Sequence, residues 1–156
     1  MVITYADLPK IRKSHPGACI VYISGTFDLI HIGHIKVLEL AKLLGDILVV
    51  SVQSDKASAK YKHKAPLIPE DQRAKVVDSL KPVDYVVINK IDPNHEYNEL
   101  GIIKRLRPNI FATAYADLWK QYATELRKYT QKVVPLMSGI EIHTTDILLK
   151  SNQQSL

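Results

Sequence analysis

The chain holds a single cysteine, Cys19, among 156 residues. One thiol cannot close a disulfide within the chain or supply a thiolate metal cage, and the scarcity fits a reducing cytoplasm. Long apolar runs are missing too: none approaches the ~20 residues that a membrane-crossing helix needs. The first residues, with Asp7, Pro9 and Lys10, lack the apolar centre of a secretory signal, so neither a membrane nor export is expected. Aromatic residues make up 7% of the chain, without zinc-finger spacing or a ribonucleoprotein-type aromatic motif. A nucleic-acid partner is therefore not expected, although the net charge is +5. The basic residues are dispersed and become dense only between Lys56 and Lys64. Small phosphorylated substrates account for that charge.

Hydrophobic residues form 46% of the chain and charged residues 24%, proportions of a globular protein with one real core. No internal repeat or low-complexity linker divides it, so residues 1–156 are read as one α/β domain. Apolar runs of strand length alternate with helical patterns, the mark of βαβ units and a parallel sheet. Strands are expected at residues 18–24, 46–53, 84–88, 110–113 and 132–136. Ile47, Leu48, Val49 and Val50 run without alternation, as do Tyr85, Val86, Val87 and Ile88, which suits strands covered on both faces. Val37, Leu40, Ala41 and Leu44 form one helical stripe, with Lys36, Glu39 and Lys42 opposite. Gly45 stops that helix. Further helices are expected at 5–14, within a lead-in over residues 1–17, and at 70–80, 96–106 and 118–129, with a short one from Thr145. Residues 56–64 read as a loop, and 151–156 as a frayed polar tail.

Chemistry concentrates between Gly25 and His34, Gly-Thr-Phe-Asp-Leu-Ile-His-Ile-Gly-His. This run leaves an apolar strand and enters the amphipathic helix. A helix N-terminus offers unpaired N–H groups and the positive end of the dipole, a natural phosphate site. Gly25 and Gly33 keep bulk away where a ligand approaches the backbone, and His31 and His34 can donate to phosphoryl oxygens. Further on, Arg73 shares a helical face with Val77 and Leu80, so it does not lie on the solvent side. It serves either a ligand or a buried ion pair with Asp28, Asp55 or Asp84.

The Gly-x-Phe-Asp-x-x-His-x-Gly-His run resembles the signature of the cytidylyltransferase-like nucleotidyltransferases. Residues 25–46 are most similar to the glycerol-3-phosphate cytidylyltransferase branch, while the lead-in resembles the adenylyltransferase that makes ADP-heptose. The resemblance implies a Rossmann-like, doubly wound parallel sheet of five strands in the order 3-2-1-4-5, with helices on both faces and the site at the switch point beside the first strand. It implies nucleotide contacts from Gly25, Thr26, Phe27, Asp28 and Gly33, with His31 and His34 on the α-phosphate. A lysine, best counted as Lys62 with Lys60 and Lys64 as substitutes, would bind phosphate, and Arg73 would hold the triphosphate. Ile-His-Thr-Thr-Asp-Ile near the C-terminus resembles the family's last landmark, which assigns β- and γ-phosphate to Thr144 and Thr145. Mg²⁺ would ride on the triphosphate, with Asp28 ordering its water shell or serving structure. A homodimer is also implied.

This chain departs from the family beside the base and acceptor pockets. His143 replaces a serine, and Ala112 to Asp117 follows neither branch, leaving Asp55, Tyr115, Asp117 and His143 as candidates for base or acceptor contact. CMP transfer to a polyol or sugar phosphate is the expectation. The alternatives are AMP transfer from ATP to heptose 1-phosphate or flavin phosphate, and a non-catalytic nucleotide sensor. Class I aminoacyl-tRNA synthetases share the His-Ile-Gly-His run, but this chain has no Lys-Met-Ser-Lys-Ser-type loop.

Overall fold

The structure, a computed structural model, describes residues 1–63, 65–90, 99–114, 120–137 and 139. Six strands, β1 (Val2–Ile3), β2 (Ile20–Gly25), β3 (Ile47–Gln53), β4 (Tyr85–Asn89), β5 (Ile110–Thr113) and β6 (Lys132–Pro135), form one sheet in the order β1-β4-β3-β2-β5-β6. Every pair is parallel, with Ile20 opposite Ile47 and Val21 opposite Ile110. The expected five-strand order is present in β2 to β6. The sixth strand, β1, extends the edge beside β4, and two residues are too few to show an alternating pattern.

Among the described residues the α-helices are α1 (Leu8–Ser14), α2 (Ile32–Lys42), α3 (Asp55–Lys62), α4 (Glu70–Asp78), α5 (Glu99–Leu106) and α6 (Ala123–Leu126). Alternate residues of β2 divide between the two faces, as strand geometry requires. Val21 and Ile23 pack with Leu38 and Ala41 of α2 and Ala74 and Val77 of α4. Ile20 and Tyr22 pack with Leu8 and Ile11 of α1, Ile102, Ile103 and Leu106 of α5, and Leu126 of α6. The sheet is covered on both sides, so its central strands can be apolar throughout.

Three expectations need correction. Residues 55–62 are helical, not a loop: Ser54 caps the helix by accepting the Ala57 N–H at 3.2 Å, and Ala57 and Ser58 are buried. The helix expected at 118–129 is broken within its described residues, 120–129. Lys120–Tyr122 is a 3₁₀ turn and α6 spans four residues, with Leu126 its buried anchor. Cys19 lies outside the strand and is half-buried, its N–H donating to Asp46 Oδ2 at 2.8 Å. Gly45 lies two residues beyond the Leu43 C-cap of α2, where only glycine has room. A Cβ there would lie 2.6 Å from the Cys19 carbonyl oxygen.

Candidate active site

β2 pairs with β3 on one side and β5 on the other, so the strand order reverses between β2 and β5, and ligands bind beyond the carboxyl ends of strands at such a reversal. The chain leaves β2 there through Gly25. A Cβ on Gly25 would stand 2.8 Å from the Phe27 ring, so glycine is required for that ring to fold back against the strand end. Phe27 itself adopts φ 52°, the left-handed region, and is buried. Its ring meets the His34 imidazole with centroids 5.4 Å apart, and His34 in turn stacks on His31 at 3.9 Å.

His31 is the N-cap of α2, extended at φ −136°, ψ 173°, and His34 occupies the third helical position in a reciprocal capping-box arrangement. A long hydrogen bond of 3.4 Å runs from the His31 N–H to His34 Nδ1. Acceptance at Nδ1 puts the proton of the neutral ring on Nε2, the form that donates to an anionic oxygen. Buried Gly33 and exposed Ile32 complete the first turn, so the start of α2 reaches solvent while its second residue carries no side chain.

A polar frame holds this turn. Asp28 accepts the backbone N–H groups of Leu67 and Ile68 at 2.9 Å each, which pins the segment before α4 against the histidine loop. Arg73, on the first turn of α4, is fully buried. Its Nε donates to the Ile68 carbonyl at 2.7 Å, and its Nη2 to the Gln53 carbonyl at 2.8 Å and Asp55 Oδ1 at 2.6 Å. Its Nη1 donates to the Thr26 carbonyl. One guanidinium thereby ties the carboxyl ends of β2 and β3 to α3 and α4. The ion pair with Asp55 weighed from sequence is present. Asp55 and Glu70 also cap each other's helices, Glu70 Oε2 accepting the Asp55 N–H at 2.8 Å and Asp55 Oδ2 the Glu70 N–H at 3.3 Å.

The structure therefore brings Gly25, Thr26, Phe27, Asp28, His31, Gly33, His34, Asp55 and Arg73 together at the carboxyl ends of β2 and β3. Lys62 is the last residue of α3, and its side chain is outside the described part; Lys56 and Lys60 are exposed. Lys64, Tyr115, Asp117, His143, Thr144 and Thr145 lie outside the described residues. Sequence reading missed Gln53, whose Oε1 accepts the Thr26 hydroxyl at 2.9 Å. A polar residue closing the apolar run from Ile47 was the available signal. Among the described residues no three His, Cys, Asp or Glu side chains converge on a metal, and both Asp28 oxygens receive backbone N–H groups.

Residues 22–150 match the family described as Cytidylyltransferase-like. The chain belongs to this family. The chain is 44% identical over 110 residues to the FAD synthase of Archaeoglobus profundus, covering 69% of this chain and 66% of that protein. It is 42% identical over 97 residues to the bifunctional protein HldE of Pelobacter propionicus, covering 62% of this chain and 19% of the relative. The matched region thus spans about two thirds of the FAD synthase and about a fifth of HldE. A lipopolysaccharide core biosynthesis protein from Thermoplasma volcanium superposes with a TM-score of 0.63 at 28% identity, covering 78% of this chain and 98% of that one. A pantoate-beta-alanine ligase from Francisella tularensis, at 17% identity and TM-score 0.60, shares the fold over 100% of this chain and 78% of its own. The family and these relatives place the chain in the nucleotidyltransferase superfamily. No helix among the described residues is long and apolar enough to cross a membrane.

Proposed function

We propose that this nucleotidyltransferase moves an adenylyl group from ATP to a phosphorylated acceptor of the flavin phosphate class. The observation that carries this choice is the 44% identity to an FAD synthase. CMP transfer, expected from residues 25–46, has less support, because that segment handles phosphate and hardly meets the base. An acceptor phosphate oxygen attacks the α-phosphorus, the bond from that phosphorus to the bridging oxygen breaks, and pyrophosphate leaves with the electron pair. The attacking oxygen is already anionic, so alignment and charge neutralisation replace a strong general base.

In this reading His31 and His34 donate to the α-phosphate and bridging oxygens, supported by their stacking at the start of α2. Gly33 admits the triphosphate, whereas the room expected beside Gly25 is taken by the Phe27 ring; Lys62 adds a phosphate contact, and Thr144 and Thr145 hold the β- and γ-phosphates. Arg73 acts by fixing the Thr26 and Gln53 carbonyls. Mg²⁺ on the triphosphate would neutralise charge on the departing pyrophosphate. Tyr115, Asp117 and His143 remain the proposed base and acceptor contacts, and the chain is proposed to pair as a homodimer.

Pyrophosphate release from four nucleoside triphosphates, each with flavin mononucleotide, a sugar 1-phosphate or glycerol 3-phosphate, tests the proposal. ATP with flavin mononucleotide should be fastest and yield FAD by mass; CTP with glycerol 3-phosphate as the fastest pair overturns it. A second reading, transfer to a sugar phosphate, is favoured by the likeness to HldE and to the lipopolysaccharide core protein. ATP with the sugar phosphate as the fastest pair would select it. Nucleotide binding without release from any pair would point to a sensor.

A further inference from the structure

At the amino ends of β2, β5 and β6, opposite the nucleotide end of the sheet, lies an open cleft of about 320 Å³. Its walls carry Arg12, Arg107, Arg127 and Lys128 and no acidic side chain. Arg12 builds it. From α1, Nη1 donates to the Ala18 carbonyl at 3.0 Å, and Nη2 to the Arg107 carbonyl at 2.7 Å and Asn109 Oδ1 at 2.8 Å. The same Asn109 oxygen accepts the Ile20 N–H at 2.9 Å, so the cleft wall is continuous with the start of β2.

Arg107 closes α5 with φ 50°, its N–H on the Ile103 carbonyl at 2.8 Å. That left-handed closing position favours glycine, so an arginine there strains the backbone, and strain of this kind points to a use for the side chain. The guanidinium stands 5.8 Å from the Tyr129 ring centre, and Lys104 Nζ stands 5.5 Å from it, within cation–π reach. Among the described residues, neither the Arg107 nor the Arg127 side chain donates a hydrogen bond or pairs with a carboxylate. Glu125, the neighbouring acid, is engaged by Lys128 at 2.6 Å and Lys104 at 3.3 Å. Two guanidinium charges therefore stand uncompensated in one cleft.

We propose that this cleft is a second anion site, separate from the nucleotide site, for a small ligand bearing two or more joined phosphate groups. Guanidinium forks match phosphate oxygens in pairs. With Lys128 held by Glu125, the two unpaired forks remain, and a ligand with two joined phosphate groups can offer one group to each. The volume falls at the lower end of the ~300–1,000 Å³ of ligand pockets, which suits a diphosphate rather than an extended polyanion.

Equilibrium dialysis of inorganic pyrophosphate against the full chain tests this. An R107Q/R127Q variant should bind the arginine-dependent pyrophosphate at least tenfold more weakly, while an H31A/H34A variant should keep that binding. Should R107Q/R127Q fold poorly, R107G/R127Q relieves the left-handed strain and removes the same charges. Displacement by ADP in H31A/H34A assigns the site to nucleotide tails, failure of ADP to displace assigns it to free oligophosphate, and either upholds the site. Pyrophosphate binding unchanged by both arginine variants overturns the proposal, as does the absence of any binding that survives H31A/H34A.

Discussion

Two residues of the site differ in how their loss should read out. His34 contacts Phe27 and His31 through ring faces and sits on the first turn of α2, half-exposed. If His34 has its proposed role, His34→Ala removes a phosphate donor without opening the core, so turnover should fall by ~10²–10³ while the unfolding midpoint stays close to wild type. Steady-state kinetics beside urea unfolding checks both halves, and turnover within a few-fold of wild type would remove the catalytic role. Arg73 should behave in the opposite way. Its hydrogen bonds satisfy the carbonyls of Thr26, Gln53 and Ile68 from a fully buried position, and Asp55, its ionic partner, is 43% exposed. The pair itself is therefore screened, and the cost of Arg73→Ala comes mainly from orphaned carbonyls and a cavity, about 2–4 kcal/mol. Arg73→Lys keeps the charge but not the fork, and should recover little of that stability. If chemical denaturation instead showed Arg73→Lys as stable as wild type with a raised KM, the guanidinium's work would lie on the triphosphate.

At the scale of elements, the helices with clear punctuation were legible and the others were not. Pro69, Glu70 and Asp71 announced α4, and the stripe from Val37 to Leu44 announced α2. The lysines of 55–62 hid α3, because a charge run masks the short buried stripe of Ala57 and Ser58, although Ser54 stood in the capping position. β1 is too short for any pattern, and the break before α6 follows from a segment with one wholly buried apolar anchor, Leu126. For the site, Gly25 to His34 could be read because glycine and histidine are informative where a strand meets a helix. Gln53 and the carbonyls around Arg73 could not, since a backbone oxygen leaves no mark on its residue's identity. The lead-in offers a test at this scale. Asp7 closes a capping box with Thr4, accepting its hydroxyl at 2.5 Å, and pairs with Lys10 at 2.7 Å. Lys10 first, then Thr4, hold its carboxyl at about 2 against an ordinary 3.8. A carboxyl lowered by folding contributes stability above its unfolded value and loses it as pH falls, here between about 4 and 2. Carboxyl NMR titration should find Asp7 near 2, and a midpoint near 3.8 would mean that the box does not persist in solution.

Across the whole molecule, one sheet separates two kinds of information. On the proposed reading, the carboxyl ends of β2 and β3, with Thr144 and Thr145, handle phosphate, while base and acceptor choice falls to Tyr115, Asp117 and His143. The phosphate machinery therefore cannot tell ATP from CTP, and likeness within residues 25–46 was a weak guide to the base. The FAD synthase and HldE relatives, aligned over more than 60% of this chain, argue for ATP. A nucleotide that binds the folded state alone stabilises it by RT ln(1 + [L]/Kd), ~2.7 kcal/mol at a hundredfold excess over Kd. For a chain of this length that corresponds to a rise in Tm of about 5–10 °C. ATP should reach that shift at a lower concentration than CTP, and the gap should persist in His34→Ala, since the phosphate contact proposed for His34 is common to both nucleotides. Tyr115→Ala should narrow the gap if that ring stacks on adenine. CTP protecting at the lower concentration would return the protein to the cytidylyl branch, and equal protection would mean that the acceptor, bound together with the nucleotide, sets the choice of base.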